Sequence, residues 1–128
     1  ALELRCSAGA LLSVVGKLLR NAVKYIGATP RGERGITVRV LDDGPAVRVE
    51  IEDTGPGIPP GESERIFEPF VRGAPRGQPG IGLGLATVKR IVEAYGGTVS
   101  VRAHDPRGCC FWFELPKAPR LQPAFYRT

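Results

Sequence analysis

"ITVRVLDDGPAVRVEIEDTGPGI", residues 36–58, decides the fold class. Ile36, Val38 and Val40 recur at every second position, as do Val47, Val49 and Ile51. A period of two puts each set on one face of a strand. Asp-Asp-Gly-Pro at 42–45 stands between the sets, so the stretch reads as an antiparallel hairpin. Asp53 continues the phase of Val47, Val49 and Ile51, which places its carboxylate on the buried face at the strand's end. Burying a carboxylate without compensation is costly. Two roles follow for Asp53. It caps the turn ahead of it, as Asp before Thr-Gly often does, or it accepts a hydrogen bond from a ligand amine. Gly55 and Gly57 allow the backbone there to approach a flat ligand closely.

Helical periodicity flanks the hairpin. Upstream, Leu11, Val15, Leu18, Ala22 and Ile26 step by three and four, with Leu19 and Val23 widening the stripe. Ser7 is the N-cap candidate, and Gly27, Pro30, Gly32 and Gly35 mark the loop that follows. Lys17, Asn21 and Lys24 form a polar line on this helix. That line is either a solvated face or a site for an anionic ligand and a metal. Downstream, "GIGLGLATVKRIVEAYGG", residues 80–97, opens with Gly80, Gly82 and Gly84 and continues as a helix over 83–95 with Leu85, Val88, Val92 and Tyr95 in line. Free N–H groups at such a start suit phosphate oxygens. The spacing is G-x-G-x-G, which is neither the dinucleotide fingerprint nor the P-loop. Gly96 suits the left-handed cap.

The remaining pieces complete an α/β layer. Residues 2–5 read as a short strand, 62–67 as a short helix, and 98–104 with 109–116 as a closing strand pair turning at Gly108. Phe67 and Phe70 anchor the root of a Gly/Pro-punctuated loop at 71–81, where Arg72 and Arg76 either reach a polyphosphate or face solvent. The expectation is one domain over 1–116 and an extension over 117–128. Its mostly antiparallel sheet is covered on one face by helices.

Composition narrows the function. At 128 residues, 42% hydrophobic and 24% charged, the chain is globular and has no apolar run long enough to span a bilayer. It starts without Met and without a signal pattern, which reads as an excised or processed domain. The net charge of +5 favours an anionic partner, but no tract of five or six cations is present, so nucleic acid is not expected. Three cysteines, with Cys109 and Cys110 adjacent and Cys6 apart, form no disulfide framework or zinc knuckle. Reduced thiols and a cytoplasmic setting are the simplest reading.

"LLRNAVKY" (18–25), "DTGPGIP" (53–59), "FEPFVRG" (67–73) and "GIGLGLATVKRIVEAYGG" (80–97), in this order, resemble the N, G1, F and G2 boxes of the catalytic ATP-binding domain of two-component sensor histidine kinases. That domain belongs to the wider family of type II topoisomerases and the mismatch-repair protein MutL. The resemblance implies a two-layer α/β sandwich, the Bergerat ATP-binding fold, with about five strands and about three helices. It implies ATP and Mg²⁺ as ligands, Asn21 on the metal, Lys24 near the phosphates and Tyr25 near the adenine. Asp53 would accept the adenine amino group, and Gly55, Gly57 and Ile58 would lie along the ring. Gly82, Leu83, Gly84 and Leu85 would line the phosphate side. Residues 71–81 would form a lid from Phe70 onward, carrying Arg72 and Arg76.

It further implies a protein-histidine kinase whose phosphoacceptor lies on a separate helical dimerisation domain, with a response regulator downstream and the isolated piece monomeric. The parent is either soluble or a membrane-bound sensor with this part in the cytoplasm. Lys17, Arg20, Ile81 and Cys109 depart from the family pattern. Protonated Lys17 has only donors and cannot ligate Mg²⁺. These departures keep open a degenerate regulatory module of the same family.

Overall fold

The structure is a computed structural model. It describes residues 6–26, 31–58, 61, 63, 65–68, 81–103 and 108–118, with the backbone alone for 25, 31 and 81–83. The order is α1 (Ala8–Ile26), a 3₁₀ turn (Arg31–Glu33), β1 (Ile36–Asp43), β2 (Ala46–Asp53), a 3₁₀ turn (Arg65–Phe67), α2 (Ile81–Ala94), β3 (Thr98–Ala103) and β4 (Cys109–Pro116). The strands form one antiparallel sheet in the order β1-β2-β4-β3. α1 packs on β2 and α2, while α2 packs on β3 and β4. Fold class and hairpin are as the sequence implies. Among the described residues there are four strands and two long helices. The short strand expected at 2–5 and the tail beyond 118 lie outside the described residues. The short helix expected over 62–67 is a 3₁₀ turn at Arg65–Phe67.

Local chemistry sets the boundaries. The Ser7 hydroxyl accepts the Ala10 N–H at 3.0 Å, which caps α1. At the end of α2, the Gly97 N–H reaches the Val92 carbonyl at 2.9 Å and the Gly96 N–H reaches Glu93 at 3.0 Å. With Gly96 at φ 83°, this is a Schellman cap. The hairpin turns on two residues. Gly44 takes φ 66°, and Pro45 then supplies the fixed negative φ of a II′ turn.

The core lies between helices and sheet. It joins Val14, Leu18 and Ala22 of α1 to Leu85, Val88 and Val92 of α2, and both to Val49, Ile51, Phe111 and Phe113 of the sheet. Phe67 sets its ring edge on Phe111 at a centroid distance of 6.1 Å. Two details differ from the sequence reading. Val23 is 58% exposed, so the α1 stripe is narrower and runs through Val14 instead. Val38 and Val40 are 48% and 59% exposed, because, among the described residues, β1 stands at the end of the strand order and beyond the reach of the two long helices.

The opposite sheet face carries a charge network. Glu50 and Glu52 point away from the helices and are nevertheless buried. Arg39 reaches Glu52 at 2.7 Å, Arg48 reaches Glu50 at 2.9 Å, and Arg102 reaches Glu50 at 3.5 Å. Arg48 also stacks 3.9 Å above the Trp112 ring. Arginine stems from three strands therefore cover the two carboxylates. Cys110 sits among these groups, with its sulfur and a carboxylate oxygen of each glutamate within 4.8 Å of one another. The carboxylates are already neutralised by guanidinium, which accounts for their burial without a metal.

A Cβ at Gly97 would overlap the Glu114 carbonyl oxygen and lie 2.9 Å from Leu115 Cδ2. Gly97→Ala is expected to destabilise the fold by about 2 kcal/mol or more through backbone displacement. Ser7→Ala is expected to cost about 1 kcal/mol through loss of the cap. Urea denaturation midpoints of the two variants check both values.

Candidate functional site

β2 delivers Asp53 to the helix-facing side of the sheet, where it is 1% exposed. Its Oδ1 accepts the Gly55 N–H at 2.8 Å, and its Oδ2 is likewise shielded from solvent. The turn-capping role left open by the sequence is thus present. It occupies one oxygen and aims the carboxylate along the loop. Thr54 fixes the other side of this corner. Its hydroxyl donates to the Glu33 carbonyl at 2.7 Å and accepts the Gly35 N–H at 2.9 Å. The loop then passes Gly108, just ahead of β4. A Cβ at Gly57 would meet the Gly108 carbonyl at 3.5 Å, and φ there is 88°.

Gly108 is the tighter of the two glycines. Its φ is 102°, and a Cβ would overlap the Asp53 carbonyl oxygen while lying 3.0 Å from Thr54 Cα. Backbone therefore lies against backbone at the point where Asp53 ends β2. One residue on, Cys109 pairs with Asp53 across the β2–β4 ladder, and Ala103 pairs with Cys109 across β4–β3.

α1 supplies the second buried polar group. Asn21 is 7% exposed, and its Nδ2 has no hydrogen-bond partner among the described residues. A buried amide left so is unusual and fits a ligand contact. Since amide N and O exchange on a flip, the same side chain can present oxygen. The polar line on α1 therefore divides. Asn21 is buried, Lys17 is half-buried and Lys24 is exposed. Tyr25 lies on α1, with its side chain outside the described residues.

The glycine run extends into α2, with Gly80 outside the described residues. The helix starts at Ile81, so Gly82, Leu83 and Gly84 fall in its first turn, where backbone N–H groups have no helical acceptor. Space at Gly84 is open, with no atom within 4 Å of a Cβ built there. Leu85 belongs to the core at 2% exposure, so only its backbone can meet a ligand. Gly55 is buried, and Ile58 is half-buried against the core. Phe70, Arg72 and Arg76 lie outside the described residues, as does His104. No helix among the described residues is long and apolar enough to cross a membrane.

Sequence reading missed what surrounds Cys109. Burial pushes its thiol up to about 12, and the Asp53 carboxylate and then Cys110 add to this. The signal lies in the β2–β4 register, which pairs residues far apart in the chain. A thiol held protonated in the fold contributes stability that is complete below pH 9 and is lost as pH rises toward 12. Relative to the parent, Cys109→Val is therefore expected to gain stability as pH is raised across that window. Urea titrations at a series of alkaline pH values check the sign.

Residues 7–119 match the family described as histidine kinase-, DNA gyrase B- and HSP90-like ATPase. Sensor protein KdpD of Escherichia coli (strain K12) is 42% identical over 112 residues, which cover 85% of this chain and 12% of KdpD. The structure of the mycobacterial sensor histidine kinase MprB superposes with a TM-score of 0.78 at 36% identity, covering 91% of this chain and 78% of that one. Full-length ShkA, crystallised in complex with AMPPNP, superposes with a TM-score of 0.71 at 38% identity, over 90% of this chain and 23% of ShkA. The chain thus spans about an eighth of KdpD. By family match and by these relatives, the chain belongs to the histidine kinase-, DNA gyrase B- and HSP90-like ATPases, on the sensor histidine kinase branch.

Proposed function

We propose that this domain binds ATP with Mg²⁺ and supplies the γ-phosphoryl group to a histidine on a separate helical dimerisation domain, within a two-component pathway. The observation that carries the reading is the pair of buried polar side chains, Asp53 and Asn21, on neighbouring elements of a fold shared with an AMPPNP-bound relative. Asp53 would take the adenine amine through its carboxylate. Gly55, Gly57 and Ile58 would follow the ring, with Tyr25 near the adenine. The Asn21 oxygen would hold Mg²⁺, which would supply charge neutralisation at the phosphates. Lys24 and the first-turn amides of α2 at Gly82, Leu83, Gly84 and Leu85 would face the phosphates. Arg72 and Arg76, next to Phe70, would add positive charge from the lid.

This chain's part in the reaction is positioning and charge stabilisation. The attacking imidazole and its acid–base neighbour would come from the dimerisation domain, and the phosphoryl group would pass on to a response regulator. The isolated domain is expected to be monomeric and the site of action cytoplasmic. A second reading is a regulatory module of the same family with little turnover. It is favoured by half-buried Lys17, one helical turn before Asn21, and by the thiol at Cys109 beside Asp53. Phosphate transfer on mixing with the upstream helical domain would exclude that module, and Lys17→Asn would report whether position 17 limits the rate.

Isothermal titration with ATP and Mg²⁺ is the first test, and silence at millimolar nucleotide would end the proposal. Asp53→Asn is expected to weaken ATP about ten- to a hundredfold, the scale of one charged hydrogen bond, with the thermal melt still cooperative.

A further inference from the structure

A cavity of about 200 Å³ is bordered by Cys109, the cross-strand partner of Asp53 on the helix-facing side of the sheet. Among the described residues, Ile58, Val101, Ala103 and Cys109 give it an apolar wall, and the exposed Gly61, Ser63 and Arg102 also line it. Its place relative to Asp53 follows from register. Asp53 pairs with Cys109, and Cys109 pairs with Ala103, so the three stand in one row across β2, β4 and β3. Neighbouring strands are about 4.8 Å apart, which puts Ala103 roughly 10 Å from Asp53 with Cys109 between them. Val101 and Ala103 share a strand phase, so both face the same side as this row. Ile58 belongs to the loop that would follow the adenine ring and also borders the cavity. Arg102 has its guanidinium turned to Glu50 and Glu52 on the other sheet face, so it adds no charge to the cavity interior.

We infer that the base end of the nucleotide site continues along this row, so that a purine whose amine meets Asp53 can carry an apolar substituent over Cys109 to Ala103. This rests on the ATP-binding reading above. The volume is sufficient, since an apolar cavity of about 150 Å³ admits benzene. The thiol at Cys109 is the residue that leaves the passage apolar. A neutral sulfur packs as a small hydrophobe and makes only weak hydrogen bonds, so an apolar group passing over it strands no strong donor or acceptor. A secondary amine on the purine still has one N–H to donate to Asp53.

The test is competitive titration of the full chain with ATP and with N6-benzyl-ATP, on the parent and on Ala103→Phe, which fills the far end of the row. Ala103 is exposed at the end of β3 and lines the cavity one strand beyond Cys109, so the ATP affinity of the variant serves as its own control. The expected result is that the parent binds both nucleotides and that Ala103→Phe weakens the benzyl analogue at least about tenfold more than ATP. Ala103→Leu gives the same comparison with a smaller side chain if the Phe variant does not fold. Equal weakening of the two nucleotides overturns the inference, as does a parent that binds ATP but not the analogue. A parent that binds neither overturns the ATP-binding reading itself, and a direct fit of the two isotherms separates these outcomes.

Discussion

The chain at Gly108 has to run against the backbone of Asp53, and the arrangement of the sheet end depends on that contact. A side chain at Gly108 would overlap the Asp53 carbonyl, and φ there is 102°, so glycine meets both the steric and the torsional demand. With the contact made, β4 begins at Cys109 directly opposite Asp53. The register of β2 on β4 then follows for eight consecutive pairs, and a slip of one residue would send every core side chain of β4 to the other face. The buried placement of Asp53 and the packing of Phe111 and Phe113 beneath the helices are thus two results of one backbone approach.

The two sheet faces solve burial by different means. On the helix side, Val49, Ile51, Phe111 and Phe113 are removed from water by α1 and α2. On the other side no long helix among the described residues covers the sheet, and Glu50 and Glu52 are enclosed by arginines from β1, β2 and β3 together with Trp112. Each guanidinium acts both as counter-ion and as cover. The network cross-links the strands through side chains, in addition to the backbone ladder, on the face opposite Asp53.

What the sequence makes legible is what local rules control. The Ser7 cap, the Gly96–Gly97 stop and the Gly44–Pro45 turn each depend on residues within one helical turn or one hairpin, and all three stand where their chemistry asks. Asp53 was legible for the same reason, since its phase is set by its own strand. The family motifs extend this to the site because they carry information from many chains. Exposure of Val38 and Val40 was not legible, because alternation looks the same in an edge strand as in a central one. Burial of Glu50 and Glu52 needs three arginines that meet only in the folded sheet. The partnership of Asp53 with Cys109 needs a register between segments on either side of α2.

That partnership has a chemical consequence for whatever the site holds. A second acid beside Asp53 would divide the local charge and make it depend on pH. Cys109 does neither, because burial and the neighbouring carboxylate together hold its thiol protonated through the neutral range. The site therefore presents one fixed acceptor next to a soft neutral surface. One oxygen of that acceptor is already oriented by the Gly55 N–H. An acceptor held in place beside an apolar surface would favour a ligand that brings a donor on a flat edge over one that brings only acceptors, because unpaired acceptors on both sides would lose their water without replacement. Preorganisation of this kind starts in the backbone, where the glycine-on-carbonyl contact at Gly108 fixes the strand end that carries the carboxylate.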